Sequence, residues 1–520
     1  MFTHKHGILY HNITMTFRRW ITAACMCCML GISTATAAPI DDAKAAYLEG
    51  DYAQAIKLFI PLAAKGDADA QTMLGLMYTG GQGVTQDYQE AVKWFRLAAA
   101  QGDAKGQAVL GLMYDTGEGV TQDYQEALKW LRLAAAQWNA GAQFKLGLMH
   151  HTGRGITQDY QETVKWYRLA ATQGHAKAQY FLGAMYRDGK GITQDYQEAL
   201  KWFRLAAAQG DADAQYNLGR MYYIGQGITQ DYQEALKWYR LAAAQGLVDA
   251  QFKLGLMYGI GQGVTRDYQE ALKWYRLAAA QGMADAQTML ALMYAGGLVG
   301  VTQDYQEALK WYRLAAVQGH AKAQYNLGRM YDIGQGITQD YQEALKWYRL
   351  AAAQGLVEAQ FNLGLMYGIG QGVTRDYQEA LKWYRLAAAQ GMADAQTMLA
   401  LMYAGGLGVT QDYQEALKWY RLAAAQGYAS AQNDLGVMYH NGEGVIQDHQ
   451  EAVKWYRLAV AQGNASTQYN LGTMYAIGQG VTQDYQEALK WYRLAAAQGY
   501  ESAEKILRHP KMVEAAKSGQ

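Results

Sequence analysis

Tryptophan recurs along this chain at a nearly fixed interval, and the interval restricts the folds that the chain can adopt. From Trp94 to Trp274 a tryptophan recurs every 36 residues, with Trp138 as an addition outside the series, and the same spacing holds from Trp311 to Trp491. Trp311 itself comes one residue late, because the segment 297–300 contains one residue more than its counterpart in a later unit. A period in this range is typical of a solenoid, in which each unit packs only on its neighbours.

Each of these units is predicted to form two helices. In the unit 67–102, Ala70, Leu74 and Tyr78 lie four residues apart, which places them on one stripe of a first helix. The segment Gly80–Gly83 then interrupts the pattern, because glycine permits the positive φ angles of a tight turn. Such glycine-rich segments recur after a helix and not after a strand, so they are read as turns and not as dinucleotide-binding loops.

The second helix of the same unit is predicted over Tyr88–Gln101. Asp87 is placed to accept hydrogen bonds from the first backbone N–H groups, and Glu90 three residues later completes a capping box. Gly102 stands where a helix commonly ends. The side that faces the neighbouring helices carries Ala91, Val92, Phe95, Ala98 and Ala99.

The recurring motif reads Ala70-Gln71-x-x-Leu74-Gly75-x-Met77-Tyr78, then Gly-x-Gly-Val, then Ala91-x-x-Trp94-Phe95-x-x-Ala98-Ala99-x-x-Gly102. This motif resembles the Sel1-like repeat, a relative of the tetratricopeptide repeat, and the resemblance spans about Asp41 to Gly499. It implies an all-α fold, a right-handed α-α solenoid of about twelve repeats of 36 residues with helical caps. It also implies an adaptor or binding module that is not, as a rule, catalytic.

Residues 1–38 have the features of a secretory signal peptide. Two arginines precede an apolar stretch that ends at Ile32, and an Ala-Thr-Ala sequence follows it. We predict cleavage after Ala37 or Ala38, and Met15 is an alternative start. The apolar stretch is too short to serve as a stable membrane span, and no later segment has 18 uninterrupted apolar residues.

These patterns divide the chain into four segments, and the predicted signal peptide is the first of them. Residues 39–66 are predicted to form a capping hairpin, whose second helix is expected to kink at Pro61. Twelve repeats occupy 67–499. Residues 500–520 are predicted to form a C-terminal capping helix, which ends at 508–510, and a polar tail.

Composition excludes several classes of site. The chain has 46 basic and 46 acidic residues, and removal of the signal leaves 43 basic and 46 acidic ones, so no nucleic-acid partner is expected. Cys25, Cys27 and Cys28 all lie in the signal. The predicted mature chain therefore has no disulfide, no cysteine–metal site and no cysteine nucleophile, which suits an oxidising compartment.

No arrangement of residues predicts an enzyme. Ser502 and Lys505 match the S-x-x-K pattern of penicillin-recognising enzymes, but neither S-D-N nor K-T-G follows them. No two histidines of the predicted mature chain are four residues apart, as two metal ligands on one helical face would be. We therefore predict no catalytic residue, no metal and no cofactor.

Differences among the repeats point to a binding surface. The second helix barely changes, whereas the first helix varies at the positions that Asp69, Met73, Leu76 and Thr79 occupy in its first copy. By the resemblance, first helices line the concave groove, where polar side chains can bind an extended peptide or glycan. The alternative is that these positions only tolerate change. The candidate binding residues are Lys145, Asn217, Arg220, Tyr223, Lys253, Asn326, Arg329 and Asn362.

A longer duplication covers three repeats. Residues 215–316 and 324–424 are nearly identical and are offset by 109 residues. The duplication places Arg220 and Arg329 at equivalent positions, which we expect to face one continuous groove.

The sequence thus predicts an exported scaffold that mediates protein–protein interaction in a bacterial envelope, located in the periplasm or secreted. We expect a monomer, without a membrane span after signal removal, that binds an unidentified protein or peptide, with cell-wall-associated proteins among the candidates. Two alternatives stay open. One is a secreted factor that interacts with a host, and the other is a cell-wall enzyme acting on peptidoglycan or a β-lactam, or an inhibitor of such an enzyme.

Export is directly testable. Protein purified from its native host should begin near Ala38 or Pro39 by N-terminal sequencing, because the signal should be removed after the Ala-Thr-Ala sequence. A start retained at Met1 or Met15 would contradict the prediction.

Overall fold

A computed structural model describes residues 39–518, and this part of the chain contains 28 helices and no strand. The chain divides into two compact parts, which we call the N-terminal half, ending at Arg266, and the C-terminal half, beginning at Asp267. Ala37, Ala38 and the rest of the predicted signal lie outside the described residues. None of the helices between 39 and 518 is long and apolar enough to cross a bilayer.

The N-terminal half holds thirteen helices in its described part, and nearly all of them have the same length. They are α1 (Pro39–Leu48), α2 (Tyr52–Ala64), α3 (Ala68–Gly80), α4 (Tyr88–Ala100), α5 (Ala104–Thr116), α6 (Tyr124–Ala136), α7 (Ala140–Thr152), α8 (Tyr160–Thr172), α9 (Ala176–Asp188), α10 (Tyr196–Ala208), α11 (Ala212–Ile224), α12 (Tyr232–Ala244) and α13 (Val248–Ile260).

The C-terminal half continues the same alternation of first and second helices. Its described helices are α14 (Tyr268–Ala280), α15 (Ala284–Gly296), α16 (Tyr305–Val317), α17 (Ala321–Ile333), α18 (Tyr341–Ala353), α19 (Val357–Ile369), α20 (Tyr377–Ala389), α21 (Ala393–Gly405), α22 (Tyr413–Ala425), α23 (Ala429–Asn441), α24 (His449–Val460), α25 (Ala465–Ile477), α26 (Tyr485–Ala497), α27 (Glu501–Leu507) and α28 (Pro510–Ser518).

The N-cap of each second helix follows the sequence prediction in part. Asp87 begins α4, and its carboxylate accepts from the backbone N–H groups of Gln89 at 2.9 Å and Glu90 at 3.0 Å. The predicted reciprocal bond of the capping box is not formed. The Glu90 carboxylate pairs instead with Lys93 at 2.6 Å, and the N–H of Asp87 donates to the carbonyl of Tyr78.

The glycine-rich turns are shaped by contact with the preceding repeat. Gly263 has a φ of +71°, and a Cβ atom there would lie 2.6 Å from the carbonyl oxygen of Tyr232, the first residue of α12. A side chain at this position would therefore collide with backbone as well as strain φ. The turn recurs because it packs on a helix, which agrees with the exclusion of a nucleotide-binding loop from the sequence.

One buried glutamine in each first helix joins neighbouring repeats. Gln107 Nε2 donates to the carbonyl of Ala99 in α4 at 3.1 Å, and its Oε1 accepts from Gln137 at the end of α6 at 2.9 Å. The amide thus links the second helix of one repeat to the second helix of the next. The equivalent bond to the preceding helix is donated by Gln71, Gln143, Gln179, Gln215, Gln251, Gln287, Gln324, Gln360, Gln396 and Gln432.

Both ends of the described chain carry helices that differ from the repeats. At the N-terminal end, α2 continues through Pro61 to Ala64. At the C-terminal end, α27 stops at Leu507, as expected, but the segment expected to be a polar tail forms α28. Pro510 suits the first position of that helix, where no backbone N–H is needed. Met512 is buried in a hydrophobic cluster with residues of α26.

Candidate binding surface

The variable positions of the first helices form one stripe along each helix. In α11 they are Asp213, Asn217, Arg220 and Tyr223, the second, sixth, ninth and twelfth residues of the helix. Spacings of three and four residues place side chains on the same face of a helix. We call the residues at these four positions of every first helix the first-helix stripe.

Lys145 belongs to a closed ion-pair network and is not free to bind a ligand. Its Nζ lies 2.5 Å from the carboxylate of Asp115, a side chain that is only 1% exposed. Arg154 reaches the same carboxylate at 3.3 Å and donates to the backbone carbonyl of Asp115 at 2.8 Å. Because the acid is buried between two cations, this candidate holds α7 to α5.

Asn217 is also occupied by contacts within the protein. Its Oδ1 accepts from Arg187 of α9, and its Nδ2 donates to the carbonyl of Asp213 at 2.8 Å. Arg187 is paired in turn with Asp188 at 2.6 Å. Asn217 is buried, so its main contribution is to fix the position of Arg187.

Arg220 and Arg329 are the candidates that are most available to a ligand. Both side chains are exposed, and neither guanidinium has a hydrogen bond or ion pair with another residue of the described chain. Each lies near a half-buried tyrosine four residues earlier on the same helix. Burial raises the pKa of Tyr216, and the positive charge of Arg220 opposes that rise. Tyr325 and Arg329 show the same relation.

Tyr223 and Lys253 belong to the first-helix stripe of the N-terminal half. The Tyr223 hydroxyl donates to Gln262 at 2.7 Å, and its ring packs edge-on against Tyr232 with the centroids 5.3 Å apart. Lys253 is half-buried, and its ammonium has no ion-pair partner between residues 39 and 518.

Asn326 and Asn362 belong to the first-helix stripe of the C-terminal half. Asn326 is half-buried, and its amide makes no hydrogen bond within the described residues. The Asn362 amide lies within hydrogen-bonding reach of the hydroxyls of Tyr325 and Tyr348. Tyr348 also donates to Asp332 at 3.1 Å, so polar groups from three helices meet around these two tyrosines.

Two histidines lie close together in the structure, although their spacing in the sequence does not predict that they are neighbours. The rings of His440, at the end of α23, and His449, at the start of α24, lie 5.0 Å apart. Burial and the charge of His449 lower the pKa of His440. No group of three or more His, Cys, Asp or Glu side chains arranged to hold a metal occurs among the described residues.

The S-x-x-K pair lies on the surface of the C-terminal cap. Ser502 and Lys505 line an open recess with Tyr469 and His509. Within the described part of the chain the Ser502 hydroxyl makes no hydrogen bond, and Lys505 pairs with Glu501 at 3.4 Å. In the described structure the serine is therefore not hydrogen-bonded to a base, although Lys505 and His509 line the same recess.

The family model described as Sel1 repeat matches this chain along nearly its whole described length. The chain is a Sel1-repeat protein. Twelve matches agree with the repeats predicted from tryptophan spacing, and a further one covers part of the N-terminal cap. The matched residues are 43–67, 68–103, 104–137, 140–175, 176–211, 212–247, 248–283, 284–320, 321–356, 357–392, 393–428, 429–464 and 465–500.

Solved Sel1-repeat structures resemble the chain. The structure of c5321, described as a protective antigen present in uropathogenic Escherichia coli strains and displaying an SLR fold, is 38% identical with a TM-score of 0.74. The match covers 82% of this chain and 92% of c5321. A Sel1-repeat protein from Oxalobacter formigenes is 37% identical over 59% of this chain and 89% of its own, with a TM-score of 0.48. A comparison with curated proteins finds no match.

One Sel1 repeat carries a pH-sensitive N-cap. His175 Nδ1 accepts from the N–H of Ala178 at 3.2 Å, and its ring stacks on Phe144. Burial, with a smaller contribution from the charge of Lys177, lowers the pKa of His175 to about 4. The imidazole must be neutral to accept this bond. Its contribution to stability is therefore complete above the ordinary histidine pKa of about 6.5 and is lost as pH falls toward 4.

We expect His175→Asn to remove this part of the acid sensitivity. Asn139 caps α7 in the equivalent place, with Oδ1 accepting from Ala142 at 2.9 Å, so the substitution keeps the cap but not the titration. Urea unfolding of the two proteins should give free energies that diverge by up to roughly 3 kcal/mol between neutral pH and about pH 4. Parallel pH profiles for the two proteins would contradict the assignment.

Proposed function

We propose that this Sel1-repeat protein is an exported scaffold of a bacterial envelope that binds an extended segment of a partner protein on its first-helix stripe. The observation that carries the proposal is the state of Arg220 and Arg329. They are exposed guanidinium groups that make no hydrogen bond or ion pair in the described structure, each beside a half-buried tyrosine. A guanidinium presents a planar set of donors that fits a carboxylate or a row of peptide carbonyls.

The second helices offer a contrasting surface. Lys237 pairs with Glu234, and Lys346 pairs with Glu343 at 3.2 Å, and such pairs recur from repeat to repeat. Their charges are balanced locally and are the same along the chain, so they give little basis for selecting a partner. This contrast favours the first helices as the recognition surface.

Export is supported by two observations. Residues 1–38 have the composition of a signal peptide. The similar protein c5321 is described as a protective antigen, and an antigen that protects must be reachable by the immune system. We place this chain in the periplasm or outside the cell, as a protein without catalytic activity. The recurrence of one repeat type over nearly the whole chain supports a binding role.

The description of c5321 also favours a second candidate. Because c5321 is present in uropathogenic strains, a secreted factor that binds a host protein is the runner-up. Such a factor would use the same stripe, and recovery of the protein from the culture medium instead of the periplasm would favour it.

The proposal is tested by removing the two available arginines. Arg220→Ala combined with Arg329→Ala should weaken the capture of envelope partners roughly tenfold or more, because each truncation removes charge-assisted hydrogen bonds. The melting temperature should not change, since both side chains are exposed and neither makes a hydrogen bond or ion pair in the described chain.

The matched control is Lys237→Ala combined with Lys346→Ala, which removes the same charge from the second helices. Quantitative mass spectrometry of proteins cross-linked to each variant in native envelopes measures the difference. Equal recovery of the same partners by the arginine variant and the unmodified protein would remove the reason for placing the site on the first helices.

A further inference from the structure

The two copies of the three-repeat block differ in a selective way. Between 215–316 and 324–424 there are three substitutions and one inserted residue. All three substitutions fall on the first-helix stripe, which comprises four positions of each 36-residue repeat. The substituted pairs are Tyr223 and Asp332, Asp249 and Glu358, and Lys253 and Asn362.

Solvent exposure alone does not account for this selection. Ile260 and Ile369 are 61% and 65% exposed, yet both copies keep isoleucine. Leu241 and Leu350, which are 49% and 45% exposed on the second helices, are also identical. If the copies had changed wherever the fold tolerates it, such positions would differ too. The differences therefore follow the stripe and not exposure.

In each copy, charged stripe residues from neighbouring first helices act on one half-buried tyrosine. The first subsite comprises Tyr216, Asn217, Arg220, Tyr223, Asp249 and Lys253. The charges of Asp249, Arg220 and Arg187 all act on the Tyr216 hydroxyl. The second subsite comprises Tyr325, Asn326, Arg329, Asp332, Glu358 and Asn362. Its tyrosine is likewise influenced by Arg329, Asn362, Glu358 and Asp332.

The substituted residues occupy positions that meet between neighbouring helices. In earlier repeats the twelfth residue of one first helix contacts the sixth residue of the next, as Asp115 contacts Lys145 and Arg187 contacts Asn217. Tyr223 and Lys253 hold this pair of positions in the first subsite, and Asp332 and Asn362 hold it in the second.

The exchange changes the charge of the subsite. The first subsite contains two cations, Arg220 and Lys253, and one anion, Asp249. The second contains one cation, Arg329, and two anions, Asp332 and Glu358. Lys322 lies one turn before Tyr325 and, if counted, makes the second subsite neutral. Asp213, at the corresponding position of the first copy, is already paired with Lys177 at 2.8 Å.

We infer that the two subsites bind peptide segments of opposite charge, the first an acidic segment and the second a basic one. This inference rests on the proposed function and specifies its chemistry. In the first subsite the Arg220 guanidinium accommodates a carboxylate and Lys253 supplies a second positive charge. In the second, Asp332 and Glu358 repel a carboxylate and attract a lysine or arginine side chain of the partner.

The test exchanges the residues that distinguish the two subsites. Tyr223→Asp with Lys253→Asn gives the first subsite the residues of the second, and Asp332→Tyr with Asn362→Lys does the reverse. Every introduced residue already occupies the equivalent position of the other copy, so the variants should fold. Asp249→Glu is the matched control, because it reproduces the third difference without changing charge.

The probes are two synthetic peptides that differ only in carrying glutamate or lysine at alternate positions, and binding is measured by fluorescence anisotropy at low salt. The unmodified protein should bind the glutamate peptide at one site. The first exchange should weaken that binding about tenfold. The reverse exchange should raise the number of glutamate-peptide sites from one to two, and Asp249→Glu should change neither quantity.

The results that would overturn this inference differ from the results that would overturn the proposed function. Unchanged affinity and stoichiometry in both exchange variants, or no binding of the glutamate peptide to the unmodified protein, would overturn the charge assignment. The proposed function is overturned only if the Arg220 and Arg329 variant captures envelope partners as well as the unmodified protein does.

Discussion

A buried glutamine amide at the fourth position of each first helix is the interaction on which the stack of repeats depends. Gln324 donates to the carbonyl of Ala316 at 3.1 Å and accepts from Gln354 at 2.8 Å. An unpaired amide or carbonyl in this position would be costly, because water cannot reach it. The amide is satisfied only when the preceding and following second helices are both in place. Each repeat is therefore complete only next to its neighbours.

Other recurring contacts reinforce the same junction, and in some repeats stripe residues add to it, as Asp115 does with Lys145. The guanidinium of Arg313 on α16 donates to the hydroxyl of Tyr331 on α17 at 2.9 Å, and this contact between successive repeats recurs along the chain. The helical glycine Gly328 admits the ring of Tyr348, since a Cβ atom there would lie 2.8 Å from it. Because residues that recur in every repeat fix how the helices pack, the residues at the stripe positions can differ from one repeat to the next, as at Arg329 and Asp332.

The repeat period was sufficient to predict the helical hairpins, their turns and the aspartate caps, because these depend on residues that are close in sequence. The closed network around Asp115, the occupied state of Asn217 and the helix formed by 510–518 were not predicted. They depend on contacts between neighbouring repeats or on how the last repeat is covered. The glutamine at Gln107 and its equivalents was visible as an invariant residue within a variable helix, but periodicity does not reveal which carbonyl it reaches.

The most direct test of this account compares a junction residue with a stripe residue of the same helix by hydrogen exchange. Gln324→Met should remove the hydrogen bonds that Gln324 makes with the Ala316 carbonyl and the Gln354 amide, lower the free energy of unfolding by about 1–3 kcal/mol, and speed exchange in α16, α17 and α18. Arg329→Ala, which removes an exposed guanidinium that makes no hydrogen bond or ion pair in the described chain, should leave exchange in those helices unchanged. Equal exchange in Gln324→Met and the unmodified protein, or faster exchange in Arg329→Ala, would contradict this distinction between Gln324 and Arg329.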